Sequence, residues 1–377
     1  MNASPPFSQP QTSRWSSRSN PVRVMIIDDS LIVRTVLSRI LDEADGFEVA
    51  AKASSTELAL TILAHQSVDV ILLDLEMPGM GGLDALPKIL AAAVGAQVLV
   101  VSSLTDEGAR HTIAALQMGA ADTMLKPRAG GFDQVYRTAL LEKIHALGPG
   151  SPNEFSSTKP DDRVRASPAE NPGFPRLRSP SPKSPRLIAI GASTGGIHAL
   201  CILLRNLPRQ LDLPILVTQH LPESFISVFA RQLETAGSRK TLVAGARTII
   251  QPGCIYVAPG DGHMMVRESG KQLMTEIGHF PVASGCTPSV DPMFETAADA
   301  TNGHALGIVL SGMGRDGVVG AEKLVNAGGA IMAQDEASCA VWGMPRAVTE
   351  AGLTSAVLPP AEIAGRIGVH VGAATWK

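Results

Sequence analysis

The chain of 377 residues is 45% hydrophobic and 18% charged, the composition of a globular protein with two or three ordinary domains. Its 32 basic and 35 acidic side chains give a formal net charge of −3, which excludes a generally basic nucleic-acid-binding protein and an acidic disordered tail protein. No apolar run reaches the ~20 residues of a membrane-spanning helix, and the polar start predicts no signal peptide. We therefore expect a cytoplasmic protein that does not insert into membranes.

Two segments differ in composition from the rest of the chain. Residues 1–21 are rich in Ser, Pro, Asn and Gln, and residues 148–185 are rich in Pro and Ser. Such segments bury too little apolar surface to offset the entropy that ordering costs. We predict a disordered tail over 1–21 and a disordered interdomain linker over 148–185. Two domains remain, at 22–147 and 186–377.

The first domain alternates the patterns of strands and helices. Strands buried on both faces are indicated by short apolar runs, namely VRVMIID, VDVILLDL, QVLVVSS and DTMLKP. The segment after the first run repeats apolar residues at three- and four-residue spacing, as an amphipathic helix does. This alternation predicts an α/β fold with a doubly wound parallel sheet.

Charged and hydroxyl side chains stand where these strands end: Asp28, Asp29, Asp74, Ser102 and Lys126. Since the carboxyl ends of parallel strands meet at one edge, these side chains are expected to share a pocket. Clustered carboxylates repel each other unless a cation lies among them, and oxygen donors alone favour Mg²⁺. A carboxylate beside Mg²⁺ and a lysine is suited to accept a phosphoryl group. The alternative, that the first two acids only cap the next helix, leaves the other strand ends unexplained.

Residues 22–147 resemble response-regulator receiver domains through four motifs, MIIDDS, DVILLDLEMPGMGGLDAL, VVSS and MLKP. The resemblance implies a flavodoxin-like fold in which a histidine kinase phosphorylates Asp74. One position departs from the family pattern, because Thr123 stands where receivers usually carry an aromatic residue. We therefore do not expect the common aromatic switch, and another surface is expected to couple phosphorylation to the output.

The same resemblance implies roles for the neighbours of the phosphorylated aspartate. Asp28, Asp29 and the main-chain carbonyl of Glu76 are expected to join that aspartate in holding Mg²⁺. Ser102 is implied to be the switch hydroxyl, and Lys126 is implied to contact the phosphate. Mg²⁺ thus belongs to the receiver domain in this interpretation.

The second domain also begins as an α/β fold. A strand, RLIAI, is followed by a glycine-rich turn, a helix and a second strand, PILVTQH. The turn fits the pattern G-x-S-x-G between strand and helix, which presents Ser193 as a nucleophile at the start of the helix. Backbone N–H groups there, that of Thr194 among them, are suited to stabilise an oxyanion.

Two other interpretations of this turn stay open at the level of spacing. One is a plain tight turn without chemistry. The other is a degenerate dinucleotide-binding loop, which calls for an acidic residue at the end of the next strand. That strand ends in Gln219 and His220 instead, which disfavours the dinucleotide interpretation.

A serine nucleophile needs a base and an acceptor that orients the base. His220 follows directly on a strand, so it is expected to lie beside Ser193 at the same edge of the sheet. The acceptor should also follow a strand, and Asp316, in the glycine-rich loop after ALGIVL, meets that condition. Asp261 and Asp291 are rivals that the sequence does not exclude. The resulting order Ser, His, Asp differs from that of the common α/β-hydrolases.

Residues 186–370 resemble the catalytic domain of the chemotaxis-receptor glutamate methylesterases, the CheB family, through six motifs: AIGASTGG, VTQHLP, YVAPGDGHM, PSVDPMF, GIVLSGMGRDG and AQDEASCAVWGMPRAV. Receiver, linker and esterase in this order form the architecture of that family. The resemblance implies a Rossmann-like sheet, a triad of Ser193, His220 and Asp316, and further active-site positions at Thr194 and Met313. The second domain departs little from the family, for example in Leu221, where methionine is usual.

The resemblance implies a phosphorylation-controlled hydrolase that removes methyl groups from glutamyl esters of chemoreceptor helices and deamidates certain glutamines. A histidine kinase and the receptors are the implied partners, and hydrolysis is expected to need no cofactor. A non-enzymatic adaptor is the rival class, although an adaptor has no need of the triad. A DNA-binding regulator is excluded, because no basic helix-turn-helix is present.

The four cysteines are Cys201, Cys254, Cys286 and Cys339. None of them forms a C-x-x-C pair, and this spacing argues against a disulfide framework and against a zinc cluster. We therefore predict free thiols.

The linker suggests how the domains communicate. A tether of this length keeps the receiver at high effective concentration near the esterase, so that even a weak docking surface is occupied. We expect the unphosphorylated receiver to block the Ser193 loop, and phosphorylation of Asp74 to favour the open form.

Overall fold

The computed structural model describes residues 20–102, 105–127, 132–149 and 176–370. Most of the predicted tail and residues 150–175 of the predicted linker lie outside the described residues. By compactness the chain forms two units, 1–103 with 123–151, and 104–122 with 152–377. The units therefore differ from the predicted domains in the segment 104–122. No helix among the described residues is long and apolar enough to cross a membrane.

The first unit is built on a five-stranded sheet with the order β2-β1-β3-β4-β5. The strands are β1 (Val22–Ile27), β2 (Phe47–Ala53), β3 (Val70–Asp74), β4 (Gln97–Ser102) and β5 (Asp122–Leu125). All five residues of β3 are buried, as expected for the central strand of a sheet covered on both faces. The pairs of β1 with β2 and β3, and of β3 with β4, are parallel. This order is that of flavodoxin-like folds, and the predicted fold of the first domain is confirmed.

Three helices of the first unit connect these strands, namely α1 (Leu31–Asp42), α2 (Thr56–Leu63) and α3 (Gly82–Ala92), and α5 (Gln134–Leu147) follows the last strand. The first helix begins after Ser30, whose hydroxyl accepts a hydrogen bond from the Val33 N–H. Because a serine supplies this cap, the acids before it are not needed as capping residues.

The second unit is built on a seven-stranded parallel sheet with the order β14-β13-β12-β6-β7-β9-β8. Its strands are β6 (Leu187–Ala192), β7 (Ile215–Gln219), β8 (Thr241–Val243), β9 (Ile255–Val257), β12 (Ala305–Val309), β13 (Ala330–Gln334) and β14 (Thr354–Leu358). The chain enters at β6, builds one side through β7, β8 and β9, and then builds the other side from β12 onward. The strand order thus reverses between β6 and β12, where parallel α/β sheets open a functional crevice. The predicted Rossmann-like fold is confirmed.

Helices cover this sheet: α6 (Gly196–Asn206), α7 (Glu223–Gly237), α8 (Val290–Thr301), α9 (Val318–Asn326), α10 (Met344–Glu350) and α11 (Pro360–His370). The core lies between these helices and the sheet, and its largest buried side chains include Phe225, Phe229, Tyr256 and Phe294. The same unit contains α4 (Asp106–Met118), from the segment 104–122.

An antiparallel hairpin is absent from the elements that the sequence predicted. It consists of β10 (His263–Ser269) and β11 (Gln272–Gly278). Gly270 has φ +65° in the two-residue turn, a conformation that glycine adopts without strain. The hairpin and α8 bracket the loop that carries Cys286, so their placement bears on the candidate site.

The last part of the predicted linker, residues 176–185, is a correction to the predicted boundary. Lys183 Nζ donates hydrogen bonds to the carbonyls of Asn302 and Ala327, each at 2.7 Å, and Ser181 Oγ donates to the Gly328 carbonyl at 2.6 Å. These carbonyls lie at the carboxyl ends of α8 and α9, where helix ends lack partners and favour a cation. Composition indicated disorder here because it does not register such capping contacts.

Candidate functional site

The first unit gathers the predicted acidic pocket at the carboxyl edge of its sheet. Lys126 Nζ lies 2.5 Å from Asp74 Oδ2 and 3.0 Å from Asp28 Oδ2, and both carboxylates are 2% exposed. Ligand atoms of Asp28, Asp29 and Asp74 lie within 4.8 Å of one another. Adjacent parallel strands thus bring these charges together, as the sequence predicted.

The charges in this pocket favour the binding of a further cation. Burial raises the pKa of Asp74 and outweighs the ion pair with Lys126, which acts to lower it. Burial acts to lower the pKa of Lys126, but its contacts with Asp74 and Asp28 prevail and raise it. One ammonium therefore does not neutralise the three acids. The Ser102 hydroxyl is buried beside this pocket without a hydrogen-bond partner in the described structure. All-oxygen donors and an unpartnered hydroxyl fit Mg²⁺ and a phosphoryl group.

The remaining predicted receiver residues have simpler environments. The Glu76 N–H donates to Asp74 Oδ1 at 3.0 Å, while the role of its carbonyl stays a prediction. The Ser30 N–H donates to Asp28 Oδ1 at 2.9 Å, which orients that carboxylate from the start of α1. Thr123, at the position where receivers usually have an aromatic residue, is buried.

The second unit places Ser193 in a turn between β6 and α6. Gly195 has φ +77°, and a Cβ there would lie 2.6 Å from both Ala340 Cβ and Ser311 Oγ. A Cβ on Gly312, in the loop after β12, would lie 2.7 Å from Ser193 Cβ. Glycine is therefore required by backbone conformation and by close approach, which are the features of a nucleophile turn.

His220 and Asp316 meet beside this turn. His220 Nε2 lies 2.8 Å from Asp316 Oδ2, and Asp316 is 1% exposed. The same carboxylate accepts hydrogen bonds from the Ser289 hydroxyl at 2.6 Å and from the Val290 N–H at 2.7 Å. Because all these partners donate, Asp316 is ionised and His220 Nε2 carries a proton. When the ring is neutral, the other nitrogen, Nδ1, has the lone pair that can act as a base.

The two rival acids do not hold His220. Asp291 accepts a hydrogen bond from the Gly320 N–H at 2.8 Å and lies buried at the start of α8. Asp261 is exposed, and its carbonyl faces the His279 ring. Burial and the neighbouring Asp316 raise the pKa of Asp291, which suits a supporting acid rather than the ionised acceptor.

At the pair of His220 and Asp316, hydrogen bonds and burial shift the pKa values in opposite directions. Burial acts to lower the pKa of His220, but the hydrogen bond to Asp316 and the nearby Cys286 outweigh it and raise the pKa to about 9. Burial acts to raise the pKa of Asp316, but donors from His220, Ser289 and Val290 prevail and lower it. The resting imidazole is therefore held protonated by a fixed carboxylate.

Ser193 lines the same pocket as His220, but the structure, which describes both residues, shows no hydrogen bond between their side chains. Both residues line a cavity of about 10 Å³, room for about one water molecule. Among the described hydrogen bonds, none joins the Ser193 hydroxyl to His220. The segment 104–122 of the same unit lines this cavity: the Ala121 carbonyl accepts from the Gly195 N–H at 2.6 Å, and Asp122 Oδ2 accepts from the Thr194 hydroxyl at 2.6 Å. Met313, half-buried, follows Gly312 in the facing loop.

Sequence reasoning missed several residues that support this site. Gln219 Nε2 donates to the Ser193 carbonyl at 2.8 Å, and Ser311 Oγ donates to the Thr194 carbonyl at 2.7 Å. Cys286 is half-buried, and its sulfur lies within 4.8 Å of ligand atoms of His220 and Asp316. Gln219 lies in the motif VTQH and Ser311 in the loop SGMG, so both belong to segments that the sequence had singled out. No local pattern marked the cysteine.

Comparisons with known proteins agree with both halves of the chain. The family described as "Response regulator receiver domain" matches residues 24–131, and the family described as "CheB methylesterase" matches residues 188–367. The crystal structure of the Thermotoga maritima CheB methylesterase catalytic domain is 32% identical, covers 49% of this chain and 97% of that chain, and has a TM-score of 0.47.

Two curated relatives match nearly the whole of this chain. The Caulobacter vibrioides protein-glutamate methylesterase/protein-glutamine glutaminase 2 is 45% identical over 90% of this chain and 95% of its own length. A protein of the same name, numbered 1, from Paramagnetospirillum magneticum is 40% identical over 93% of this chain and 96% of its own length. The chain is thus a response regulator whose receiver is joined to a hydrolase domain with a Rossmann-like fold. It belongs to the CheB family of protein-glutamate methylesterases/protein-glutamine glutaminases.

Proposed function

We propose that this protein hydrolyses γ-methyl esters of glutamate side chains on the cytoplasmic helices of chemoreceptors, releasing methanol, and deamidates certain receptor glutamines. The observation that carries the proposal is the His220–Asp316 hydrogen bond beside the Ser193 turn. Family membership supplies the substrate class, since relatives with this name cover almost the whole chain.

The chemistry follows from the positions of the three side chains. Ser193 Oγ attacks the γ-carbonyl while His220 Nδ1 takes the hydroxyl proton, giving an acyl-enzyme after the proton passes to the leaving methanol or ammonia. Water then attacks the acyl group with the same base, and the proton returns to Ser193. Asp316 keeps the proton on Nε2 and stabilises the imidazolium that forms at each step.

Stabilisation of the oxyanion is assigned to the start of α6. Backbone N–H groups at a helix N-terminus carry partial positive charge, and that of Thr194 follows the nucleophile directly. Met313 is proposed to border the same oxygen, since Gly312 brings its loop against Ser193. No cofactor enters this half of the proposal.

The receiver supplies control in this proposal. A histidine kinase phosphorylates Asp74, and Asp28, Asp29, Asp74 and the Glu76 carbonyl hold Mg²⁺. When bound, Mg²⁺ neutralises charge on the transferred phosphoryl group. Ser102 turns its unpartnered hydroxyl to the phosphoryl oxygens, and Lys126 remains paired with the modified residue.

Regulation by blocking is part of the same proposal. The cavity around Ser193 holds about one water molecule, far too little for a receptor side chain, and the segment 104–122 occupies two of its polar groups. We expect the fragment 176–377, which keeps the contacts of Lys183, to demethylate receptors faster than the unphosphorylated full chain. Equal rates would contradict blocking and would point to a receiver that activates or recruits substrate.

Replacement of Ser193 tests the enzymatic assignment. Ser193→Ala is expected to abolish demethylation, by a factor of about 10⁴ or more, while Asp74 still accepts phosphate from a small phosphodonor. The measurement is methanol release from methylated receptor. Full activity in this variant would overturn the assignment of the nucleophile.

A fluorophosphonate probe separates the proposal from its rivals. Peptide mapping is expected to find the adduct on Ser193. A non-enzymatic adaptor would carry no adduct, and an adduct on Cys286 would make the thiol beside His220 the nucleophile. Ser193→Ala provides the matched control, because labelling should disappear.

A further inference from the structure

Three chemically different ligands converge at the catalytic base. One ligand atom each from His220, Cys286 and Asp316 lies within 4.8 Å of the other two. We propose that these residues form a zinc site whose occupation switches off hydrolysis. The inhibitory effect rests on the proposed function, whereas zinc binding itself does not.

The donor set selects zinc over the harder cations. A thiolate, an imidazole and a carboxylate form the mixture of sulfur, nitrogen and oxygen ligands that Zn²⁺ accepts, and a fourth position remains for water. Zinc–ligand bonds of ~2.0–2.3 Å place tetrahedral ligands about 3.4 Å apart. The cluster therefore closes on the ion with shifts of about 1 Å, and the His220–Asp316 pair opens slightly from 2.8 Å. The receiver pocket, with oxygen donors only, lacks such a set.

The cluster is held in place by its surroundings. Asp316 is fixed by the Ser289 hydroxyl and the Val290 N–H. Ser289 stands three residues after Cys286. Its hydroxyl donates to Asp316 and its N–H donates to His263 Nδ1 at 3.0 Å, so the loop with the cysteine is anchored to the same carboxylate and to the hairpin. Outer hydrogen bonds of this kind orient metal ligands and strengthen binding.

Cys286 is also reachable from solvent. It is half-buried, whereas Cys201 and Cys254 are buried, and the His220 side chain is 16% exposed. The sequence argued against a zinc cluster because its ligands are not closely spaced. Here the ligands come from three segments that only the packed sheet brings together.

Zinc bound to this cluster prevents His220 from acting as a base, because it takes up the lone pair that would accept a proton. A neutral imidazole has one free lone pair. Zinc bound at Nδ1 occupies the lone pair that would accept the Ser193 proton. Zinc bound at Nε2 displaces the proton there and leaves the remaining ring proton on Nδ1. In either arrangement His220 no longer accepts a proton, and the carboxylate that stabilised the imidazolium is engaged by the metal.

The test uses the full chain phosphorylated by acetyl phosphate in saturating Mg²⁺, which also occupies the receiver pocket. Zinc is titrated against demethylation, and binding is measured separately with Co²⁺, whose charge-transfer absorption reports a sulfur ligand. Cys286→Ser is compared with Cys339→Ser, a matched change at the other half-buried cysteine. Each variant is referred to its own zinc-free rate.

We expect zinc to inhibit the unmodified chain and Cys339→Ser alike, and Cys286→Ser to need about 10–100-fold more zinc. The cobalt–thiolate band should appear in the first two proteins and be lost in Cys286→Ser. Equal inhibition of Cys286→Ser, a band that survives this change, or binding without inhibition would each overturn the proposal.

A further measurement needs no variant. Zinc should slow the alkylation of Cys286 by iodoacetamide, and alkylation at an unchanged rate would overturn the proposal. Burial raises the pKa of the Cys339 thiol, so this cysteine is expected to react slowly both with and without zinc. The two assignments fail separately. If Ser193 is not the nucleophile, the cobalt band and the protection still stand; if the zinc site is absent, the loss of activity in Ser193→Ala is untouched.

Discussion

Two buried aspartates, Asp74 of the first unit and Asp316 of the second, lie at corresponding edges of parallel sheets but in opposite surroundings. Asp74 accepts from Lys126 and from the Glu76 N–H, yet burial outweighs these contacts and raises its pKa. Asp316 accepts from an imidazole, a hydroxyl and a main-chain amide, and these donors lower its pKa. The two carboxylates differ in how many hydrogen-bond donors surround them, and this difference suits them to different roles. An under-supplied carboxylate is available to a phosphoryl group, whereas a saturated one is fixed as an orienting acceptor.

Of the two carboxylates, Asp316 is expected to give the larger effect on the rate when it is replaced. Asp316→Asn keeps the shape but presents an amide to His220 and disturbs the tautomer, so kcat should fall by about 10³–10⁴-fold. The variant also loses acceptor capacity for buried donors, which should cost about 1–3 kcal/mol of unfolding free energy. Demethylation and thermal unfolding provide the measurements.

Asp261→Asn is the matched control, because that side chain is exposed and the carboxylate hydrogen-bonded to His220 is that of Asp316. Its rate should stay close to that of the unchanged protein. If Asp291→Asn were inactive while Asp316→Asn retained activity, the acceptor would have been assigned to the wrong acid.

The pH profile follows from the raised pKa of His220. With a pKa of about 9, only about 1% of the imidazole is neutral at pH 7 and about half is neutral at pH 9, so kcat/KM should rise about 50-fold between these pH values. The groups facing this ring are Asp316 and Cys286. The assay needs a chelator and subtraction of the Ser193→Ala rate. A profile that levels off near the ordinary histidine pKa would contradict this environment.

Stability should vary with pH in the opposite direction. Folding raises the pKa of His220, so its stabilising contribution is complete below about pH 6.5 and is lost as the pH rises through about 9. Urea unfolding across this range measures the change, and His220→Gln should flatten it.

The under-supplied carboxylate is expected to give a smaller effect on rate. Asp74→Asn removes the proposed phosphoryl acceptor, so the protein should stay at its basal rate and lose an activation of about 10–100-fold. The control is Asp45→Asn, an exposed acid of the same unit. Activation of Asp74→Asn by acetyl phosphate would show that phosphate acts elsewhere.

The smallest expected effect concerns the glycine turn. Gly195→Ala should lower the free energy of unfolding by about 1–3 kcal/mol, because φ is +77° and the added Cβ meets Ala340 and Ser311. Gly352→Ala has a similar φ of +69° with nothing within 4 Å, so it isolates the backbone cost. Equal losses in the two variants would show that close packing at the turn does not contribute.

Local patterns predicted the elements that carry the chemistry. The strands before Asp28, Asp74, Ser193 and His220 were predicted from continuous apolar runs, and the predicted fold class is confirmed. These residues were predictable because a parallel strand delivers whatever follows it to the same edge of the sheet. The hairpin of β10 and β11 was not predicted, because its segments HMMVRES and QLMTEIG show no strict alternation of apolar and polar residues and no motif marked them.

The order of residues along the chain was enough to predict that acids and a lysine meet in one domain and a serine and a histidine in the other, because these residues follow predicted strands. Tertiary structure alone decided that Asp316, and neither Asp261 nor Asp291, holds His220, and that Cys286 lies beside this pair. It also decided that Lys183 caps two helix ends within the predicted linker. The reason is physical: strand ends are positioned by local geometry, whereas contacts among loops depend on how distant segments pack and on which buried polar groups find partners.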